Sequence, residues 1–128
     1  VIPETINGKK VTEITNFAFS NIDDITKITI PKYVSYIEDY ALARCDLLEE
    51  VVVSEENEYF KSVDGVLFDK TGETLIMYPA AKEGTEYLIP ETVKTIYYLA
   101  FSACNNIKSI IVPDSVTMKS PNTRRISL

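Results

Sequence analysis

The chain has no histidine and no tryptophan among its 128 residues, and it has only two cysteines. Without an imidazole it cannot use histidine as a general base, as the activator of a nucleophile or as a metal ligand. Cys45 and Cys104 show neither a CxxC motif nor another metal-ligand spacing. The sequence therefore predicts a protein that is not an enzyme, with no catalytic residue, no cofactor and no metal site. A Ser–Lys pair is the catalytic arrangement that the spacing leaves open.

Basic residues and long apolar runs are also scarce. Thirteen Lys and Arg stand against 19 Asp and Glu, which gives a formal net charge of −6. Binding to phosphates needs clustered Lys and Arg, so this balance disfavours nucleic acid and anionic membrane surfaces as partners. No apolar run approaches the roughly 20 residues that cross a bilayer, so we expect no membrane insertion. The chain begins at Val1 without a leader, and we expect a mature or excised fragment.

Apolar residues recur along the chain with a period of about 23 residues, which is typical of repeat architectures. The first copy contains Val11, Ile14, Phe17, Ala18, Phe19, Ile22, Ile25, Ile28 and Ile30. The pattern returns one period later at Val34, Ile37, Tyr40, Ala41, Leu42, Cys45, Leu48, Val51 and Val53. A third copy, after a longer interval, contains Val93, Ile96, Leu99, Ala100, Phe101, Cys104, Ile107, Ile110 and Val112. Each copy is too small to bury its apolar face alone, so the copies must stack and share one core.

The pattern changes character within each copy. Residues 26–30 alternate with period two, which predicts a half-buried strand, and Glu50–Val53 and 109–112 are its equivalents. The boxes at 17–19, 40–42 and 99–101 place a small Ala between two bulky neighbours. These boxes predict a short helical turn on the side of the repeat opposite the strand.

The segments from Ile89-Pro90 to Val112 and from Ile30-Pro31 to Val53 resemble the BspA-like, or Treponema-type, leucine-rich-repeat family. The resemblance covers roughly residues 1–116. It implies a short right-handed α/β solenoid with a parallel sheet on one face and short helical turns or loops on the other. We expect one domain over residues 1–116, with coils near 11–33, 34–56 and 87–113.

The second and third copies are separated by an additional segment, which predicts an irregular coil over 57–86. Strands at 63–68 and 74–78 flank a turn at 69–72, in which Gly72 supplies the left-handed position of a β-hairpin. Residues 117–128 offer neither the next Ile nor the next box. They predict a frayed or truncated C-terminal tail.

Cys45 and Cys104 occupy the same repeat position in coils that are not adjacent. Neighbouring coils lie about 4.8 Å apart, so their Cα atoms should be about 10 Å apart or more. A disulfide needs a Cα separation below roughly 7 Å. We therefore predict two buried thiols that act as small apolar residues.

Two surface patches are candidates for binding a protein. The first is an apolar column on the outward face of the strands, formed by Thr29, Val52, Leu88 and Ile111, with Ile76 joining from the hairpin. A solvent-facing column this apolar is unusual, and exposed apolar patches tend to mark interaction sites. The second patch contains Tyr36, Tyr97 and Tyr98, since tyrosine is common in interfaces. Cover by the rest of a longer parent chain, plain β propensity, and packing at the repeat edge are the alternative interpretations.

The family resemblance implies a bacterial secreted or cell-surface protein that adheres to host matrix proteins or to other cells. We therefore expect a non-enzymatic protein-binding module with a protein ligand that the sequence does not identify. A structural spacer repeat within a longer surface protein is the alternative. The sequence predicts no oligomeric state.

Overall fold

The computed structural model describes residues 2–19, 24–42 and 45–119, and these residues form short β-strands joined by turns. The strands are β1 (Thr5–Ile6), β2 (Lys9–Lys10), β3 (Glu13–Ile14), β4 (Lys27–Ile30), β5 (Tyr36–Ile37), β6 (Glu50–Val53), β7 (Phe60–Val63), β8 (Val66–Asp69), β9 (Thr74–Met77), β10 (Glu86–Leu88), β11 (Thr95–Ile96), β12 (Ser109–Ile111) and β13 (Met118–Lys119). No helix occurs within these ranges.

Strands from successive repeats pair in parallel, and paired residues are separated by one repeat period. The pairs that show this register are Glu13 with Tyr36, Lys27 with Glu50, Tyr87 with Ile110, and Thr95 with Met118. The repeat period thus sets the register with which one coil lies on the next. The strands form four two-stranded sheets and one five-stranded sheet, ordered β13-β11-β9-β8-β7, so the expected single parallel sheet is divided into short pieces.

Alternate side chains of the paired strands point into the core. Ile28, Ile30, Val51 and Val53 are buried, whereas Val52 between the last two is only half-buried. The change from Leu88 to Ile89 takes the side chain from 62% exposed to fully buried. Because successive side chains of a strand point to opposite faces, this pattern confirms the predicted strand phase.

The core consists of two clusters that meet at β8. The first cluster gathers buried side chains of the first two coils, such as Ile30 and Val51, together with Leu67 of β8. The second cluster gathers those of the later coils, such as Ile89, together with Val66 and Phe68 of β8. Burying a Val, Leu or Phe side chain contributes roughly 1.5–3 kcal/mol. Because β8 places such side chains in both clusters, it stabilises both halves of the core.

The boxes that were expected to form helical turns form i→i+3 hydrogen-bonded turns, and no helix occurs at them within the described residues, so the helical turns are not confirmed. The Ala41 N–H donates to the carbonyl oxygen of Glu38, and the Ala100 N–H donates to that of Tyr97, both at 3.0 Å. Left-handed backbone at Phe17 (φ 59°) and Ala103 (φ 60°) interrupts the right-handed conformation that a helix needs. Ala41 and Ala100 are nevertheless buried.

The irregular coil contains two consecutive hairpins where the sequence predicted one. The predicted hairpin is present, because β8 and β9 pair antiparallel around Gly72, whose φ is 78°. A second hairpin joins β7 to β8 through Asp64 and Gly65, at φ 51° and 80°. The prediction of one strand over 63–68 is therefore wrong. Two left-handed residues in a two-residue loop make a type I′ turn, for which Asp-Gly is a preferred sequence.

A buried asparagine links the start of the irregular coil to the first and second coils. The Asn57 side-chain amide donates to the carbonyl oxygens of Pro31 and Val34, both at 2.9 Å. Its Oδ1 accepts hydrogen bonds from the backbone N–H of Tyr59 (2.7 Å) and of Phe60 (2.9 Å). The side-chain NH₂ group thus donates two hydrogen bonds and the side-chain oxygen accepts two, so this buried polar group is fully hydrogen-bonded, as its burial requires.

The burial predicted for the two cysteines is confirmed. The Cys104 thiol donates to the carbonyl oxygen of Tyr78 at 3.5 Å, and burial raises its pKa to about 11. Burial and then the charge of Asp46 raise the pKa of Cys45. Both side chains are therefore protonated at neutral pH and pack as small apolar groups.

The repeat stack continues into the segment that was expected to be a tail. β13 pairs in parallel with β11, and the Thr117 N–H donates to the carbonyl oxygen of Lys94 at 3.0 Å. The first residues of the predicted tail thus belong to the stack. Residues 120–128, and Ile22 of the first repeat, lie outside the described residues.

Candidate functional site

The outward strand face is most exposed at one pair of residues. Leu88 and Ile111 are partners in the β10–β12 sheet, and they are 62% and 47% exposed. Thr29 and Val52 are partners in the β4–β6 sheet and are half-buried. The exposed apolar area that was predicted for the whole column is therefore concentrated at Leu88 and Ile111.

The strand face consists of two separate sheets, and the β7–β8 turn contacts one of them. The Val51 N–H donates to the carbonyl oxygen of Gly65 at 2.9 Å, and no strand pairing joins β6 to β10 within the described residues. The turn thus lies against β6, where a Cβ added at Gly65 would be 2.9 Å from Cβ of Glu50. The predicted continuous column is two separate pairs.

Ile76 does not belong to the strand-face column. It lies in β9, which pairs with β8 and β11, and its partly buried side chain packs against the first core cluster. The same residue lines a surface cleft together with Tyr36 and Tyr97. The structure therefore moves Ile76 from the first predicted patch to the second.

The cleft has a volume of about 560 Å³ and lies between the second coil and the later coils. Its lining contains Tyr36, Ile37, Glu38, Asp39, Tyr40, Leu42, Cys45, Asp46, Phe60, Thr74, Ile76, Met77, Ala80, Tyr97, Leu99, Ser102 and Ala103. Most of these residues are aromatic or aliphatic. An enclosed apolar centre with a few polar groups is typical of binding pockets.

A short connecting loop explains why the cleft exists. Twelve residues (38–49) join β5 to β6, and twelve (97–108) join β11 to β12, but only eight (78–85) join β9 to β10. The short loop has no box, and the cleft is lined by Leu42 and Leu99 from the boxes on either side and by Ala80 of the short loop. The missing box leaves a gap that its neighbours enclose.

Most of the cleft residues were not predicted as site residues from the sequence, among them Asp39, Tyr40, Phe60 and Leu99. The signal that could have found them is the loop that is four residues shorter than its two counterparts. Comparing the lengths of the three loops would have placed a gap between the boxes. The tyrosines alone indicated a patch but not a concave surface.

Aromatic side chains connect the coils across this surface. Phe17 and Tyr40 stack with ring centroids 6.0 Å apart and an interplanar angle of 10°. Tyr97 and Tyr98 lie 5.0 Å apart, and a side-chain hydrogen bond with Tyr40 is the main cause that raises the pKa of Tyr98 to about 12. The sequence grouped Tyr36, Tyr97 and Tyr98. In the structure Tyr36 and Tyr97 line the cleft, and Tyr98 contacts Tyr97 beside it.

A hydrogen bond spans the cleft. The Tyr97 hydroxyl donates to Oδ1 of Asp39, and these residues belong to the coils on opposite sides of the gap. Burial, followed by this hydrogen bond and the charge of Asp39, raises the pKa of Tyr97. The phenol therefore stays protonated and able to donate throughout the physiological pH range.

The cleft is acidic. Glu38, Asp39 and Asp46 line it, and no lysine or arginine is among its described lining residues. The ion pairs in the described part of the chain are Lys27 with Glu50, Lys32 with Glu56, and Lys94 with Glu73. None of these pairs uses a carboxylate of the cleft.

The described residues form neither a cluster of metal ligands nor a membrane-spanning helix. They contain no group of three or more cysteine or carboxylate side chains placed to hold a metal ion. Within the same ranges, no helix has the length and apolar character needed to cross a bilayer.

Solved structures of three bacterial proteins are similar to this chain. A leucine-rich repeat protein from Eubacterium ventriosum is 40% identical with a TM-score of 0.78, and the match covers 84% of this chain and 29% of that one. A leucine rich cell surface protein from Faecalibacterium prausnitzii is 32% identical, with a TM-score of 0.74 and coverage of 85% and 29%. The pneumococcal vaccine antigen PcpA is 29% identical, with a TM-score of 0.72 and coverage of 87% and 33%.

The chain thus spans about a third or less of the length of each of these proteins. Curated protein sequences include no significant match to it. A sequence profile described as the BspA type leucine rich repeat region matches six copies, over residues 2–74 and 80–123. The break in this match, at residues 75–79, falls at β9 and the start of the short loop. With its profile match and the parallel pairing of its successive repeats, the chain belongs to the BspA-type leucine-rich-repeat family.

Proposed function

We propose that this chain is a non-enzymatic protein-binding module of a secreted or cell-surface protein, and that the cleft is its main contact surface. The observation that carries the proposal is the cleft of about 560 Å³ with exposed tyrosine at its border, where Tyr36 is 54% exposed. Tyrosine is enriched among the residues that dominate binding energy, because its ring is rigid and has both apolar and polar parts.

The distribution of polar groups in the cleft supports protein binding. Leu42, Phe60 and Leu99 contribute apolar lining, while Asp39 and Asp46 contribute carboxylates that reach solvent. An apolar centre surrounded by a polar rim is the usual anatomy of a protein interface. The stacked repeats support this surface with a continuous core, so little conformational entropy is lost when a partner binds.

The similar structures support a surface location for the parent protein. One is a cell surface protein and another is a vaccine antigen, and each is about three times as long as the part this chain matches. The chain would then be one repeat-containing part of a larger protein. Adhesion to a host matrix or surface protein is the role that we propose for that part.

The Leu88–Ile111 pair, with Thr29 and Val52 of the separate β4–β6 sheet, is proposed as a second and smaller contact surface. Its exposed area comes from two side chains, whereas the cleft offers a concave surface with several aromatic rings. Convex or flat apolar contacts of this size contribute less to affinity than a filled pocket. We therefore expect the cleft to dominate binding.

Binding of purified chain to a panel of immobilised host matrix and cell-surface proteins tests the proposal. We expect Tyr36→Ala to weaken binding by about 10-fold or more, as truncation of an interface anchor usually does. Tyr59→Ala is the matched control, because Tyr59 is 51% exposed, close to the 54% of Tyr36, and does not line the cleft. It should leave binding unchanged.

The triple variant Val52→Ser, Leu88→Ser, Ile111→Ser tests the strand face in the same assay. Binding that survives Tyr36→Ala but is lost in the triple variant would show that the strand face is the main site. If no protein of the panel binds the wild-type chain, the alternative function as a structural spacer repeat is favoured instead.

A further inference from the structure

We infer that the cleft receives a basic peptide segment of the partner, in which lysine or arginine stands next to apolar residues. The inference rests on the proposed function and specifies the chemistry of the partner at the same site. It depends on three features of the cleft: its carboxylates, its tyrosine rings and its apolar lining.

The carboxylates of the cleft are available to a cation from outside. Glu38, Asp39 and Asp46 line it, and the ion pairs of the described residues all use other carboxylates. Asp39 accepts a hydrogen bond from the Tyr97 hydroxyl, which does not neutralise its charge, and no described lysine or arginine forms an ion pair with it. Three negative charges around a partly enclosed, mainly apolar space attract a cation more strongly than they would in open water.

Tyr33, which does not line the cleft, is in cation–π contact with lysines of its own chain. Tyr33 has two lysines of its own chain over its ring, Lys10 at 4.6 Å and Lys32 at 5.1 Å from the ring centroid. Among the described residues no lysine or arginine takes that position over a tyrosine of the cleft. The ring of Tyr36, which is 54% exposed, can therefore receive a cation that a partner supplies.

The apolar lining selects a peptide over a simple cation. Leu42, Phe60, Met77 and Leu99 line the same cleft as the carboxylates and the rings. The methylene groups of a lysine or arginine side chain pack on such surfaces while the charged end reaches a carboxylate. Apolar residues next to the cation would fill the remaining volume.

Calorimetric titration of the wild-type chain with three synthetic peptides tests the inference. The peptides alternate valine with lysine, with serine or with glutamate and are otherwise identical. We expect the Lys–Val peptide to bind most tightly and the Glu–Val peptide most weakly. Because the interaction depends on charge, affinity for the Lys–Val peptide should fall as the salt concentration rises.

The variant Asp39→Asn/Asp46→Asn removes two charges of the cleft, and the amide oxygen introduced at position 39 can still accept the hydrogen bond of the Tyr97 hydroxyl. We expect it to bind the Lys–Val peptide about 3- to 10-fold more weakly at low salt, from two lost exposed or half-exposed charge interactions. Asp64→Asn/Asp114→Asn is the matched control, because it makes the same change of net charge outside the cleft. It should bind the peptide as the wild type does.

The inference is overturned if the Glu–Val peptide binds as tightly as the Lys–Val peptide, or if both double variants lose affinity equally. It also fails alone if a panel protein binds through Tyr36 while the Lys–Val peptide does not bind. If neither the panel nor the peptides bind, the proposed function fails together with the inference.

Discussion

At the scale of single residues, the position of a side chain in its strand decides what a substitution costs. Leu88 and Ile89 are consecutive, yet the first is 62% exposed and the second is fully buried. A charge at the second position has no partner in the second core cluster, whereas a charge at the first reaches water. Two neighbouring residues of similar type therefore have opposite tolerance to a charge.

We expect Ile89→Lys to destabilise the chain by about 4 kcal/mol or more, and Leu88→Lys to change stability by less than about 1 kcal/mol. Urea unfolding followed by circular dichroism measures both, since the chain has no tryptophan for fluorescence. Equal losses in the two variants would contradict the strand phase.

The four hydrogen bonds of the buried Asn57 side chain predict a second large effect. Asn57→Ala removes the partner of two carbonyl groups and two N–H groups, so we expect a loss of about 2–4 kcal/mol. Asn16→Ala is the control, because the exposed Asn16 side chain accepts one hydrogen bond, from the Tyr40 N–H at 2.8 Å. It should cost about 0.5–1 kcal/mol in the same urea experiment. A small loss at Asn57 would show that the fold does not depend on this contact between coils.

At the scale of secondary-structure elements, two hairpins with the same kind of turn have different surroundings. The β1–β2 turn at Asn7 and Gly8 and the β7–β8 turn at Asp64 and Gly65 both have left-handed backbone at their two central residues. A Cβ added at Gly8 would meet nothing within 4 Å, but one added at Gly65 would lie 2.9 Å from Cβ of Glu50. The second turn therefore contacts β6 at Gly65, whereas Gly8 of the first turn has space for a side chain.

Gly8→Ala should therefore cost about 1–2 kcal/mol, the penalty of the left-handed conformation alone. Gly65→Ala should cost a further 1–3 kcal/mol, roughly, because the backbone of β6 or of the turn must move. The difference between the two free energies of unfolding is the measured quantity. No difference would mean that the β7–β8 turn does not contact β6 as the structure describes.

Elements with a periodic pattern could be predicted from the sequence, and elements without one could not. Glu50–Val53 was predicted to be a strand as the repeat equivalent of the alternating residues 26–30, and the structure confirms it. The box at 40–42 was expected to be helical, and this is not confirmed; a single i→i+3 turn and the start of a helix need the same residues. The Asp64–Gly65 turn was missed because it interrupts an apolar run that resembles one strand.

The candidate site was harder to predict than the fold, because it arises from a difference between repeats. Tyr36 and Tyr97 were recognised as a patch, but the cleft depends on the length of the 78–85 loop relative to its counterparts. The strand-face column was predicted from the phase of each strand. Its division into two separate sheets follows from the irregular coil between the repeats, which periodicity does not encode.

At the scale of the whole molecule, the coils stack in parallel with a register of one repeat period, as in the pairing of Glu86 with Ser109. This register places the boxes above one another, so a coil without a box leaves a cleft between its neighbours. The core, the strand face and the cleft all follow from the same stacking. A test of the register is therefore a test of the entire description.

The most direct measurement is disulfide formation in the variant Leu88→Cys/Ile111→Cys under mild oxidation of the folded protein. Leu88 and Ile111 are exposed partners in the β10–β12 sheet, and neighbouring strands lie about 4.8 Å apart, within reach of a disulfide. Val52→Cys/Leu88→Cys is the control, since these residues lie in separate sheets. From the pairing of Leu88 with Ile111 we expect rapid intramolecular cross-linking in the first variant and not in the second. Failure of the first to cross-link, or equal cross-linking in both, would contradict this register.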